Sequence, residues 1–169
     1  MTELLTSATD HGDRSGHDHD SCVEHSFAGE QALQRGLAGY LAAIGTALGV
    51  GLESCTIDAY TPASAYLALD WQQRRCPGVE LALLWDEQCG WAAALEGEAA
   101  EDFTILGYLG CDVLPEPEVV ARFAAAAQHG TLPQRTDSAR ESATEHGPGA
   151  PPLPRSELFR RLARYALPT

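Results

Sequence analysis

Residues 79–109, VELALLWDEQCGWAAALEGEAAEDFTILGYL, alternate between apolar and other side chains in three successive runs. The apolar positions are Val79, Leu81, Leu83 and Trp85, then Trp91, Ala93 and Leu95, then Phe103, Ile105 and Leu109. A period of two is typical of strands that bury one face. Because residues 86–90, DEQCG, have turn chemistry, the stretch predicts antiparallel strands joined by short connections.

Two further strands and two helices flank this stretch. The period of two also occurs at Cys55 and Ile57, and at Leu67, Leu69 and Trp71. Apolar residues at three- and four-residue steps predict a helix over 30–48, ended by Gly49. A second helix is predicted over 116–128, because Pro117 suits its first turn, Glu116 and Glu118 favour its positive end, and Gly130 ends it. We therefore expect an α+β fold, in which a five-stranded antiparallel meander sheet carries an N-terminal and a C-terminal helix on one face.

Charge divides the chain into segments. The 169 residues include 24 acidic and 11 basic residues, all of the latter Arg, for a net charge of −13. Composition predicts a disordered His/Asp-rich tail at 1–29, a globular α+β domain at 30–130, a flexible linker at 131–154 and a basic amphipathic helix at 155–169. The net acidity argues against general binding of nucleic acid.

The hydropathy pattern predicts a cytoplasmic protein. The longest uncharged run, residues 36–52, is shorter than the roughly 20 residues that cross a bilayer, so no transmembrane segment is expected. Residues 1–20 have neither the basic nor the apolar region of a secretory signal. Five cysteines without a C-x-x-C pair suit a reducing compartment.

Three stretches resemble a known family. They are LGVGLESCTIDAYTPASAYLALDW at 48–71, LALLWDEQCGWAAALE at 81–96 and LGYLGCDVLPEPEVVARF at 106–123. Together they are similar to an actinobacterial domain-of-unknown-function family, numbered 6292, over roughly residues 33–128. The resemblance implies a bacterial domain with no assigned activity, and it transfers no functional residue.

The N-terminal tail contains the first candidate metal site. His17, His19, Cys22 and His25 offer imidazole and thiolate groups, which are ligands that Zn, Ni or Cu accept. Their spacing matches no closed structural site, so the segment predicts either a solvated polar tail or weak binding of a divalent transition metal. No other cofactor is expected.

A second candidate lies at one edge of the predicted sheet. If the strands at 91–96 and 103–109 pair antiparallel, Cys89 and Cys111 fall at the same edge, with Asp112 and the acidic pair Asp86–Glu87 nearby. Two thiols and three carboxylates could bind a metal or form a dithiol pair. The alternative is a pair of incidental turn cysteines among solvated acids.

The third candidate is a surface. The sheet face opposite the predicted helices is unusually apolar, with Tyr66, Ala68, Ala82, Leu84, Ala94, Leu106 and Tyr108. Such a patch predicts docking of a protein partner, a second copy or the chain's own tail. The alternative is an ordinary open sheet face that carries small residues.

The tail segment 155–167, RSELFRRLARYAL, reads as a basic amphipathic helix. It carries Leu158 and Leu162 on one stripe, with Arg160, Arg161 and Arg164 around it. We expect it to dock on the acidic domain, in cis or on a second copy. The alternative is a marginal, mostly solvated helix, because isolated helices this short are weak.

These features favour a non-catalytic protein-interaction or regulatory module, with a protein partner or self-association. The alternative is a metal- or redox-active protein that uses the edge with Cys89 and Cys111. No motif identifies a reaction, so whether the protein is an enzyme stays open.

Overall fold

The computed structural model describes residues 18–72, 74, 77–97, 102–132 and 153–166, with side chains from residue 29 onward. Its elements, in chain order, are α1 (Asp18–Leu48), a 3-10 turn (Leu52–Ser54), β1 (Cys55–Asp58), β2 (Ser64–Gln72), β3 (Glu80–Asp86), β4 (Gly90–Glu96), β5 (Phe103–Tyr108), α2 (Pro117–Gln128), α3 (Arg155–Leu162) and a 3-10 turn (Ala163–Tyr165). None of the helices within these ranges is both long and apolar enough to cross a membrane.

The five strands form one antiparallel sheet in the order of the chain. This confirms the predicted meander, because each strand pairs with the next through a short connection. Between β3 and β4, the carboxylate of Asp86 accepts hydrogen bonds from the backbone N–H groups of Gln88 and Cys89, at 2.8 and 2.6 Å. Gly90 then takes a φ of +74°, a value that favours glycine.

One face of the sheet and the helices enclose a single hydrophobic core. From the sheet, the inward side chains include Leu67, Leu83, Trp85 and Trp91, and all are buried. The α1 residues at the predicted helical spacing, Leu33, Leu37, Leu41, Ile44 and Leu48, join the same core, as do Val120 and Phe123 of α2. Both predicted helices therefore cover one face of the sheet, as expected for an α+β fold.

The first helix is longer than predicted. It begins at Asp18 rather than near residue 30, and it ends at Leu48 before Gly49, whose φ is +75°. Polar composition removes the capacity for burial, but it does not prevent helix formation. The predicted tail over 1–29 therefore includes a helical backbone from residue 18, while residues 1–17 lie outside the described residues.

A β-bulge in β5 corrects one predicted face. Ala93 pairs with Gly107, but the next residue, Ala94, pairs with Ile105, so Leu106 is an extra residue in β5. Leu106 consequently packs against the core, whereas Ile105 faces the other way and is 40% exposed. The prediction that placed Leu106 with Tyr66 on the sheet face opposite the helices was wrong, because a strict period of two does not anticipate an inserted residue.

Candidate functional site

The sheet face turned away from the core has an apolar centre. We call this surface the outer face, and its members are Tyr66, Ala68, Ala82, Leu84, Ala92, Ala94, Phe103, Ile105 and Tyr108. The register aligns Ala68, Ala82 and Ala94 across three neighbouring strands, in a row that ends at Ile105. This row of small side chains crosses the middle of the face. The three alanines at 82, 92 and 94 are buried, although they do not belong to the core.

The Tyr66 side chain lies across this row of alanines. Its hydroxyl donates a 2.6 Å hydrogen bond to Glu96, which joins β2 to β4 and therefore passes over β3 near Ala82. The Tyr66 and Phe103 rings are 5.9 Å apart between centroids. Burial, and then the nearby Glu96, raise the pKa of Tyr66, which therefore stays protonated and remains a hydrogen-bond donor at neutral pH.

The charges on the strands are of one sign. The five strands contain Asp58, Asp70, Glu80, Asp86 and Glu96, and none of the strands contains Arg. By alternation all five carboxylates lie on the side of the outer face. The register places Tyr108 opposite Ala92 and Asp86 opposite Gly90, at one end of the same surface. Burial raises the pKa of Tyr108, and the nearby Cys89 and Asp86 add to the shift. The outer face is therefore apolar at its centre and acidic at its edges.

The C-terminal segment docks within its own chain, as the sequence allowed, but on α1 and not on the outer face. Leu158 and Leu162, which belong to the predicted interaction surface, are 2% and 1% exposed and are part of the core. The Tyr165 ring packs at 5.0 Å from the ring of Tyr40 on α1. We call this site the helix groove; it is formed by Gly36, Gly39 and Tyr40 of α1 and by the segment 112–116.

Glycines on α1 permit the close approach. A Cβ atom at Gly36 would lie 2.8 Å from Leu162 Cβ and 2.9 Å from its carbonyl oxygen. A Cβ atom at Gly39 would overlap the carbonyl oxygen of Tyr165. The glycine side of α1 is therefore where the backbone of the C-terminal segment makes contact.

The other wall of the helix groove, the segment 112–116, is held by hydrogen bonds from buried side chains of the core. Trp85 Nε1 donates to the carbonyl of Val113 at 2.8 Å, and the Tyr40 hydroxyl donates to the carbonyl of Pro115 at 2.6 Å. The Tyr40 hydroxyl also accepts from Trp91 Nε1 at 3.3 Å. These buried bonds hold the segment 112–116 rigidly, so they position the carboxylates of Asp112 and Glu116 beside α3.

Three arginines of the C-terminal segment meet carboxylates of the domain. Arg161 binds both oxygens of Asp112, at 2.9 and 2.8 Å, and also donates to the carbonyl of Leu114. This pairing, and then the N–H of Leu114, hold the pKa of Asp112 below its ordinary value. Arg164 lies 3.5 Å from Glu116.

At the start of α3, Arg155 lies 3.8 Å from Glu87 and hydrogen-bonds the hydroxyl of Thr61. Arg160, by contrast, is exposed and, among the residues that the structure describes, pairs with Glu157 of its own helix.

The predicted metal ligands have other roles where the structure describes them. Asp86 bonds the turn, and Asp112 bonds Arg161, although the register does bring Cys89 and Cys111 to the same end of the sheet. Among the described residues, no three His, Cys, Asp or Glu side chains are grouped as metal ligands would be. His17 lies outside the described residues, as do the side chains of His19, Cys22 and His25.

Two features of these surfaces were not predicted from the sequence. Phe103 and Ile105 belong to the outer face, and only the bulge reveals it. Gly36 and Gly39 contact the C-terminal segment, and here a signal was present. Glycine inside a helix costs about 1 kcal/mol relative to alanine, so two on one side of α1 indicate a close backbone contact.

Comparison with known proteins gives one match. No curated protein and no solved structure matches this chain. The model of the family of unknown function DUF6292 matches residues 40–126, from the end of α1 through the sheet to α2. The match covers just over half of the chain, and the protein therefore belongs to the DUF6292 family.

Proposed function

We propose that this protein is a non-catalytic protein-interaction module that binds a protein partner through its outer face. The observation that carries the proposal is the set of apolar side chains that this face leaves accessible around its buried alanines, Ile105 at 40% and the half-buried Tyr66, Leu84, Phe103 and Tyr108. The buried side chains of the helices belong to the core on the opposite face. Strands of an antiparallel sheet with one solvated face normally alternate between apolar residues toward the core and polar residues toward water. A contiguous apolar surface instead marks an interaction site.

The acidic edges favour a partner of opposite charge over a second copy. Two outer faces in contact would bring the five strand carboxylates of each chain together, without a strand arginine to offset them. Like charges across an interface select against a pairing, whereas a partner with basic groups around an apolar centre would be attracted. We propose that the protein acts without a cofactor and in the cytoplasm.

The proposal can be tested by site-specific photo-crosslinking in cells. A photo-reactive amino acid at Ile105 of the full chain should give a discrete adduct with one protein. The same group at Gln34, an exposed position on α1, should not give that adduct. The protein in the adduct is then purified, and its binding to the unmodified chain is measured at low and raised salt.

The variants Ile105→Asp and Thr104→Asp make a matched pair, because both residues are exposed neighbours in β5 and only Ile105 belongs to the outer face. We expect Ile105→Asp to weaken binding about tenfold or more and Thr104→Asp to leave it near the original value. Raised salt should weaken binding by the unmodified chain. An adduct with a second copy, or equal binding by both variants, would contradict the proposal.

A further inference from the structure

The helix groove has the composition of a recognition site. It combines a strip of backbone contact at Gly36 and Gly39 with buried positions for Leu158 and Leu162. At one wall, Asp112 presents both oxygens to the guanidinium of Arg161. Apolar anchors four residues apart on one side of a short helix are the usual way in which a groove recognises an amphipathic helix.

The charges add selectivity to these apolar contacts. Three carboxylates of the domain meet the segment 155–165. Glu87 lies in the β3–β4 turn, and Asp112 and Glu116 lie before α2. Each is contacted by a different arginine of the segment 155–165. A planar guanidinium can bond two carboxylate oxygens at once, so Asp112 specifies arginine at the matching position more strongly than any other cation.

The segment in the groove is set apart from the rest of the fold. The family match ends at residue 126, whereas α3 begins at Arg155. α3 belongs to no strand pairing, and it has only eight residues. A helix of this length is marginal by itself, so its helical state depends on the groove.

We propose that the helix groove is a binding site for a basic amphipathic helix, and that residues 155–165 are its resident ligand, which a partner helix of the same chemistry displaces. The displacing helix presents two leucines four residues apart and an arginine placed to meet Asp112. Attachment in cis raises the local concentration of the resident segment at the groove. Exchange therefore requires a competitor of matching sequence. This second surface is independent of the outer face.

The test uses a fluorescent peptide of residues 153–166, LPRSELFRRLARYA, and the full chain. In the double variant Leu158→Asp/Leu162→Asp the resident segment cannot fill the groove, so the peptide should bind saturably. The unmodified chain should bind it at least about tenfold more weakly, because its own segment competes. A peptide with Arg161→Ala should lose about tenfold in affinity or more, and one with Arg160→Ala should bind like the original, since Arg161 bonds Asp112 of the domain whereas Arg160 bonds Glu157 of its own helix.

A second measurement avoids dependence on how the double variant folds. A protease site is introduced within residues 133–152, and the folded full chain is cleaved there. The C-terminal fragment should stay bound after cleavage, and excess peptide should displace it, with faster release at raised salt. A fragment that excess peptide cannot displace from the folded domain would overturn the proposal, as would equal binding of the original and Arg161→Ala peptides.

Discussion

At the scale of single residues, the carboxylate of Asp112 carries the most specific polar contact of the C-terminal segment. Its two oxygens accept from Arg161, and one also accepts from the N–H of Leu114 at 3.1 Å. The Arg161 side chain is 18% exposed, so water competes for these bonds less than at the surface pair of Arg160 and Glu157. A lysine at 161 would present one ammonium in place of a planar fork.

The lowered pKa of Asp112 predicts a stability that depends on pH. Asp112→Asn should lower the free energy of unfolding at neutral pH by about 1 kcal/mol, a small value because 38% of the Asp112 side chain is exposed and solvent screens the pair. The carboxylate is ionised more readily in the folded chain than in the unfolded one, whose pKa is about 3.8. Its contribution is therefore complete above that value and disappears as the pH falls through the lower folded pKa.

Urea unfolding of both proteins at neutral pH and at steps toward pH 3 measures this effect. The two unfolding curves should differ at neutral pH and converge in acid. Asp70→Asn, which removes an exposed strand carboxylate, is the control and should leave the free energy of unfolding at neutral pH near that of the unmodified chain. A difference between Asp112→Asn and the unmodified chain that stays constant down to pH 3 would contradict the prediction.

At the scale of elements, the bulge in β5 decides which residues of the last strand meet the core. Leu106 is the inserted residue and packs inward, and Ile105 remains on the outer face. A regular strand would place Ile105 in the core, as the alternation of Phe103, Ile105 and Leu109 had predicted. One inserted residue thus moves the residues before it to the opposite face of the sheet from the one they would have in a regular strand.

Aspartate at each of these two positions distinguishes the arrangements. Leu106→Asp should lower the free energy of unfolding by about 2–3 kcal/mol, because a carboxylate would be forced against the core. Ile105→Asp should cost clearly less, since its side chain already reaches water. Chemical denaturation of both variants provides the comparison, and a larger loss at Ile105 would favour the regular strand over the bulge.

The glycines of α1 give a second prediction at this scale. Alanine usually stabilises a helix relative to glycine, but Gly36→Ala should lower the free energy of unfolding by about 1–3 kcal/mol, because the new methyl group would meet the backbone of Leu162. Gly29→Ala is the matched control: its nearest neighbour would be Phe159 Cζ at 3.9 Å, an ordinary contact, so stability should be kept or increased. Thermal unfolding of both variants tests this, and a stabilising Gly36→Ala would argue against the close contact.

The sequence predicts the elements well because they repeat a short-range pattern. The alternation in β3 and β4 and the helical spacing of Leu33, Leu37 and Leu41 need no knowledge of distant residues. The bulge at Leu106 and the place where α3 docks depend instead on pairings across the chain. Arg161 was identified as a cation on an amphipathic helix, but its partner Asp112 is 49 residues away, and local spacing does not encode that distance.

At the scale of the whole molecule, the fold consists of a continuous unit and an added segment. The sheet, α1 and α2 are joined by strand pairing and by a shared core, while α3 adds Leu158 and Leu162 to that core from one side. Opening of α3 breaks no strand pairing. Elements with fewer buried contacts open at lower free energy than the centre of a sheet.

Native-state hydrogen exchange should therefore resolve two levels of stability. Amides of Leu158 to Leu162 should exchange through an opening of lower free energy than amides of Leu83 in β3 and Ala93 in β4. Raised salt should lower the first level more than the second, because ion pairs at Asp112 and Glu116 hold the segment. Exchange of both sets at one common free energy would show that α3 unfolds only with the sheet.

The position of α3 after the rest of the fold also has a consequence during synthesis. The helix groove needs both the glycine side of α1 and the segment 112–116, so it is complete only once Glu116 has been made, and its covering segment begins 39 residues later, at Arg155. At about 5–20 residues per second, a ribosome needs roughly 2–8 s to make the intervening chain. During that interval the unfilled groove is a surface that a chaperone or a neighbouring nascent chain can contact.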